Sequence, residues 1–186
     1  MNFLKKTLTV SAIGALTATV AFGVMDAKAE DAGTTITASV QNAFTLAETQ
    51  ILEFGTFTAK NHGTDVSTIV MANDGTGPTY NNPGSARITE VTAGQMGIFD
   101  VTGASPSTDL TIALPVSETL TCGTCSGSQE DFTVNTFTSS PGAGSITTDA
   151  TGAVTVNVGA TLTTINSANT YEDGDYTSTY TVSLNY

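Results

Sequence analysis

The chain has no tryptophan, one histidine (His62), two cysteines and only five lysines and arginines together, against 17 aspartates and glutamates. Each shortage removes a class of function. A formal net charge of −12 repels phosphate backbones, so nucleic-acid binding is excluded, and anionic lipid surfaces are disfavoured for the same reason. A zinc site built on the two cysteines would need two more ligands, and His62 is the sole histidine. Without tryptophan, the aromatic walls that usually hold sugar rings in glycoside hydrolases lose their best residue. Helical periodicity is also missing after residue 30, where Thr, Gly, Ser and Val dominate.

What is present begins with an export signal. Lys5 and Lys6 precede a small, apolar stretch over residues 8–24, and Ala27-Lys28-Ala29 then gives an A-x-A cleavage site before Glu30. Residues 1–29 are therefore expected to be a cleaved signal peptide, and the processed protein is expected to be exported, to the periplasm, cell surface or medium. No second apolar run is long enough to span a bilayer. Cleavage leaves Lys60 and Arg87 as the only strong bases against sixteen acids, a net charge of −14. Residues 30–186 are the length of one ordinary domain with its own core.

That domain is expected to be all-β. Strands are expected over residues 34–46, 51–57, 66–72, 86–92, 96–102, 110–116, 131–138, 154–165 and 175–186. Turn signals separate them at Asn61-His62-Gly63, Asn73 to Pro78, Asn82-Pro83-Gly84, Pro141 to Gly144 and Glu172-Asp173-Gly174. Residues 73–85 and 122–130 are the longest expected loops. Short strands at this spacing indicate a sandwich or barrel.

The two ends carry the same pattern. Ile36, Ala38, Val40, Asn42, Phe44 and Leu46 fall on one phase near the start, and Tyr176, Ser178, Tyr180, Val182, Leu184 and Tyr186 on one phase at the end. Alternate residues of a strand point to opposite faces, so both runs read as half-buried strands. The first run, residues 30–46, is a candidate donor strand ahead of a sandwich domain at 47–186. It is equally readable as the first strand of a complete sandwich paired within its own chain, and Asn42 places an amide on the apolar phase.

Ordered strings extend the reading. Ile51-Leu52-Glu53-Phe54-Gly55 has an L-x-F-G form, and Gly97-Ile98-Phe99-Asp100-Val101-Thr102-Gly103 leads to Leu110-Thr111-Ile112-Ala113-Leu114-Pro115. Val156-Asn157-Val158-Gly159-Ala160-Thr161-Leu162 follows, and the last block joins Gly174-Asp175-Tyr176 to Tyr180-Thr181-Val182-Ser183-Leu184-Asn185-Tyr186. Together they resemble domain-of-unknown-function family 4402, exported bacterial β-domains without assigned chemistry. More distantly they resemble spore coat protein U domains and archaic chaperone–usher pilins. The resemblance implies an immunoglobulin-like, pilin-like sandwich lacking one strand, completed by the N-terminal extension of a neighbour. It also implies a homopolymer and a periplasmic chaperone and usher as partners. The interaction residues would be Ile36, Ala38, Val40, Phe44 and Leu46 on the donor and Tyr180, Val182, Leu184 and Tyr186 beside the groove. Such pairing is β-augmentation, in which the backbone ladder gives affinity and alternate side chains fill pockets.

The remaining motifs favour structure over catalysis. Cys122 and Cys125 form a C-x-x-C pair without the helix that redox chemistry requires, so in an oxidising compartment they are expected to close a disulfide. A ring this small contributes about 2 kcal/mol through chain entropy and mainly shapes its loop. Gly123, Cys125 and Gly127 imitate a nucleophile elbow, but the helix and an oriented histidine are missing. Glu172-Asp173-Gly174-Asp175 and Glu130-Asp131 are acidic clusters that could attract Ca²⁺, yet neither has a recognised calcium-loop spacing. The expectation is a non-enzymatic exported surface protein without cofactor or metal, a pilus- or coat-type subunit joined by strand exchange. The alternative is a self-contained sandwich that binds a surface ligand such as a glycan.

Overall fold

Alternating burial builds this fold strand by strand. In the computed structural model, the described residues are 37–38, 43–60, 65–84, 87–126, 130–142, 144–166 and 170–186. The chain forms two units, Met1–Ser39 and Val40–Tyr186. The expected signal peptide lies outside the described residues, as do Ile36, Val40, Asn42, His62 and Gly127. Thirteen strands are described: β1 (Thr45–Gln50), β2 (Glu53–Lys60), β3 (Thr68–Met71), β4 (Pro78–Asn81), β5 (Arg87–Gln95), β6 (Gly97–Thr102), β7 (Asp109–Ala113), β8 (Ser117–Cys122), β9 (Phe132–Ser140), β10 (Gly144–Thr147), β11 (Val154–Thr163), β12 (Tyr176–Thr177) and β13 (Ser183–Asn185). No helix occurs among the described residues. The fold is all-β, a β-sandwich.

One layer is a large antiparallel sheet in the order β1-β6-β11-β9-β8-β12, with β3 paired to β11 and β4 to β3. Its central strand, β11, turns Val156, Val158, Ala160 and Leu162 inward, each nearly inaccessible. The facing layer is in two separate pieces, a three-stranded sheet β10-β7-β13 and a two-stranded sheet β2-β5. Each piece has its own core. Leu110 and Ile112 of β7, Ile146 of β10 and Leu184 of β13 pack with Phe99, Val101, Val156 and Val158. Phe54 of β2 and Ile88 of β5 pack with Ile69, Met71, Phe132, Val134 and Leu162. Complete burial of a Val, Leu, Ile or Phe side chain contributes about 1.5–3 kcal/mol, so the two clusters supply the main drive to fold.

The structure redraws several expected strands. The stretch 73–85, expected as a loop, contains β4; β8 and β10 were not anticipated. The expected strand 175–186 is two short pieces, β12 and β13, with residues 178–182 outside any ladder. The expected domain boundary at 46/47 falls inside β1, which pairs with β6 from Thr45↔Thr102 onward.

Candidate functional site

A groove of about 1090 Å³ lies over the large sheet beside β2. Its floor is the inner face of that sheet, where Leu120 and Phe137 are half-buried and Phe132, Val134 and Leu162 lie beneath, almost inaccessible to water. Residues 51–59, which include most of β2, line it together with Val91–Ala93 of β5. Residues 171–180 line the rest. Among the described residues β2 pairs only with β5, and β13 only with β7, so each of these strands keeps an edge without a ladder partner. Unpaired strand edges are templates for added strands.

Aromatic rings join floor to walls. Phe132 meets Phe57 of β2 edge-on at 5.4 Å, stacks on Tyr171 at 4.2 Å and meets Tyr176 edge-on at 4.9 Å. Tyr180 lies against Phe137 at 5.5 Å and Phe99 at 6.1 Å. Its hydroxyl is buried without a hydrogen-bond partner among the described residues. Burial, with the negative charge of Glu48 nearby, pushes the Tyr180 phenol up to about 12. Tyr171 is also pushed up to about 12, chiefly by burial. Both rings therefore stay neutral across the physiological range. The charged residues on the lining are all acids: Glu48, Glu53, Glu118, Glu172, Asp173 and Asp175.

The 171–180 wall is tied to the β8 end by a small constellation. Cys122 and Cys125 are joined by a disulfide, with their Cα atoms 5.5 Å apart. Gly174 sits directly on that bond; a Cβ there would be 2.7 Å from Cys122 Sγ and 3.0 Å from Cys125 Sγ. The backbone N–H of Ser126 donates to Glu172 Oε2 at 3.0 Å, and the Ser126 hydroxyl donates to the other carboxylate oxygen. These bonds hold the Glu172 carboxyl below its ordinary range. Tyr176 pairs with Cys122 in the ladder, and its hydroxyl bonds the backbone N–H and C=O of Glu172, both at 3.1 Å.

Residues 44–186 match the family described as Domain of unknown function (DUF4402). The chain belongs to that family. Comparison with curated proteins and with solved structures finds no match.

The DUF4402 strings now have physical roles. Gly55, which closes the L-x-F-G string, has φ +77°, and any Cβ would strike the Thr92 carbonyl across the β2–β5 ladder. Gly159 lets β3 approach β11, since a Cβ there would strike the Met71 carbonyl. Tyr180, Val182 and Leu184 all turn inward, and Leu184 is 9% exposed. Tyr186 is half-exposed and meets Phe44 edge-on at 5.5 Å.

Ile36 and Val40 lie outside the described residues. Ala38 is exposed. Phe44 and Leu46 are half-buried and pack on the core of their own chain. Among the described residues of the interaction set, Tyr180 alone lines the groove; Val182 and Leu184 belong to the core beside it, and Tyr186 is half-exposed. The groove floor of Leu120, Phe132, Val134 and Phe137 was not anticipated as a site. The alternation of Phe132 and Val134 marks a strand but gives no sign that residues 171–176 cover it.

Proposed function

We propose that this chain is a non-enzymatic, exported bacterial surface protein, a pilus- or coat-type subunit that joins a neighbour by β-strand exchange. The observation that carries the reading is the groove lined by β2 and by residues 171–180 over the large sheet, with apolar side chains in its floor, next to a strand, β2, that pairs only with β5 among the described residues. Such a site offers what an added strand needs, a ladder for its backbone and pockets for alternate side chains. The donor is the segment before β1. The family match starts at residue 44, so residues 30–43 stand ahead of the shared domain. They carry Ile36, Ala38 and Val40 on one phase, and residues 33–46 include no charged side chain that would meet the acidic rim. Phe44 and Leu46 remain with their own core and anchor the donor to the subunit that provides it.

A second reading, ligand binding by a closed domain, draws support from the same tyrosines and carboxylates, which suit a glycan. One truncation separates the two. A chain without residues 30–42 should fold with its stability within about 1 kcal/mol of the longer form, because β1 starts at Thr45. It should lose the multimers formed by the chain starting at residue 30 and capture the missing segment as a peptide. Loss of folding would make the segment an internal strand, and persistent multimers would remove it from assembly. A monomeric starting chain that retains a glycan would establish the second reading.

A further inference from the structure

We infer that the Cys122–Cys125 disulfide is a redox latch that sets the 171–180 wall of the groove and so decides when the groove can accept a strand. The inference rests on the strand-exchange reading and adds its regulation. A three-residue separation makes this disulfide a poor staple for the fold as a whole, since the loop it closes is short. Its place explains it better. The wall joins the large sheet through a ladder of only two residues, Tyr176↔Cys122 and Thr177↔Thr121, and residues 178–182 are in no ladder. The first of those pairs includes a disulfide cysteine. Gly174 rests on both sulfurs, and Ser126, the residue after Cys125, holds the Glu172 carboxylate. Every polar attachment of the 172–176 turn described above therefore converges on the disulfide loop or on the turn itself.

Reduction removes the bond that fixes Cys125 relative to Cys122. Ser126 then no longer has a fixed position from which to hold Glu172, and the seat of Gly174 is lost. Oxidation reverses this by thiol–disulfide exchange. The Cys122 and Cys125 thiols form the S–S bond, while the S–S bond of a disulfide-bearing oxidant breaks and leaves as two thiols with the two protons and two electrons. In a reducing compartment the wall stays loose, and it is set only where such an oxidant is present. Strand uptake is thereby delayed until the chain has left the reducing compartment.

Hydrogen exchange on the full chain, oxidised and after a phosphine reductant, tests this. Amide exchange within residues 171–177 should accelerate by about tenfold or more on reduction, with β9 and β11 unchanged, because the effect is local opening. Capture of a fluorescent synthetic peptide spanning residues 33–43 should fall at least about threefold in the same sample. The Ser126→Ala variant, which keeps the disulfide but loses the hydroxyl donor, should show a smaller acceleration in the same residues. Unchanged exchange at 171–177 overturns the latch, as does equal acceleration throughout the core. Accelerated exchange with unaltered peptide capture overturns its control of the groove. If the oxidised chain captures no peptide, strand exchange fails as a reading, and the exchange data alone decide whether the latch exists.

Discussion

At the scale of single residues, two positions carry consequences out of proportion to their size. Gly55 combines a left-handed φ of +77° with a neighbouring carbonyl where a side chain would begin. Gly55→Ala meets both penalties, and the obstacle is backbone that cannot rotate away. The variant should lose about 2–4 kcal/mol in urea unfolding. A loss below about 0.5 kcal/mol would mean that β2 shifts freely against β5. Glu172 acts through charge. Ser126 stabilises the ionised carboxylate, so the folded chain holds that charge to lower pH than the unfolded chain does. The sign follows: the contribution is present above the ordinary glutamate range and is lost as pH falls through the lower folded value. In NMR spectra the Ser126 amide should titrate below that ordinary range, and Glu172→Gln should abolish the titration.

At the scale of elements, the sequence pattern was most legible where a strand is buried on one face and least where it lies at an edge. Val156, Val158, Ala160 and Leu162 declared β11, and Leu110 and Ile112 declared β7, through strict alternation. β4 and β10 each have one ladder partner, and their four residues contain too few apolar positions to form a pattern. β8 turns only Glu118 and Leu120 partly inward before Cys122, and was hidden for the same reason. The last twelve residues show that side-chain phase and hydrogen bonding are separate properties. Tyr176, Tyr180, Val182 and Leu184 turn inward as the alternation required, while Ser178 and Tyr186 are exposed, and a ladder forms only at β12 and β13. The groove was not legible at all, because it depends on how β2 and residues 171–180 sit over the large sheet, which no local pattern records. Leu184 measures how much β13 matters. It is buried among Val158, Ile112 and their neighbours, so Leu184→Ala should cost about 2–4 kcal/mol in urea unfolding. Tyr186→Ala, which loses an edge contact with Phe44 and the exposed hydrogen bond that the Ser105 N–H donates to its hydroxyl at 3.3 Å, should cost about 1 kcal/mol. Equal losses would mean that the chain end is held as firmly as the core.

At the scale of the whole molecule, charge governs how copies meet. The chain from residue 30 carries sixteen acids and two strong bases, so any two copies repel. The groove intensifies this, since the charged residues on its lining are all acids. A donor can enter only if it adds little charge of its own, and residues 33–46 add none. Assembly by this route thus sets a neutral, apolar contact against repulsion between the bodies that carry it. Salt weakens the second without weakening the first. Raising ionic strength from about 0.01 M to 0.15 M shortens the screening length from about 30 Å to about 8 Å. Multimer formation should therefore strengthen with salt, with the apparent Kd falling by about threefold to tenfold over that range in sedimentation equilibrium. An interface held by ion pairs behaves in the opposite sense, because salt screens its attraction. Association that weakens with salt would show that copies meet through their few cations, Lys60 and Arg87, and not through a neutral strand in an acidic groove.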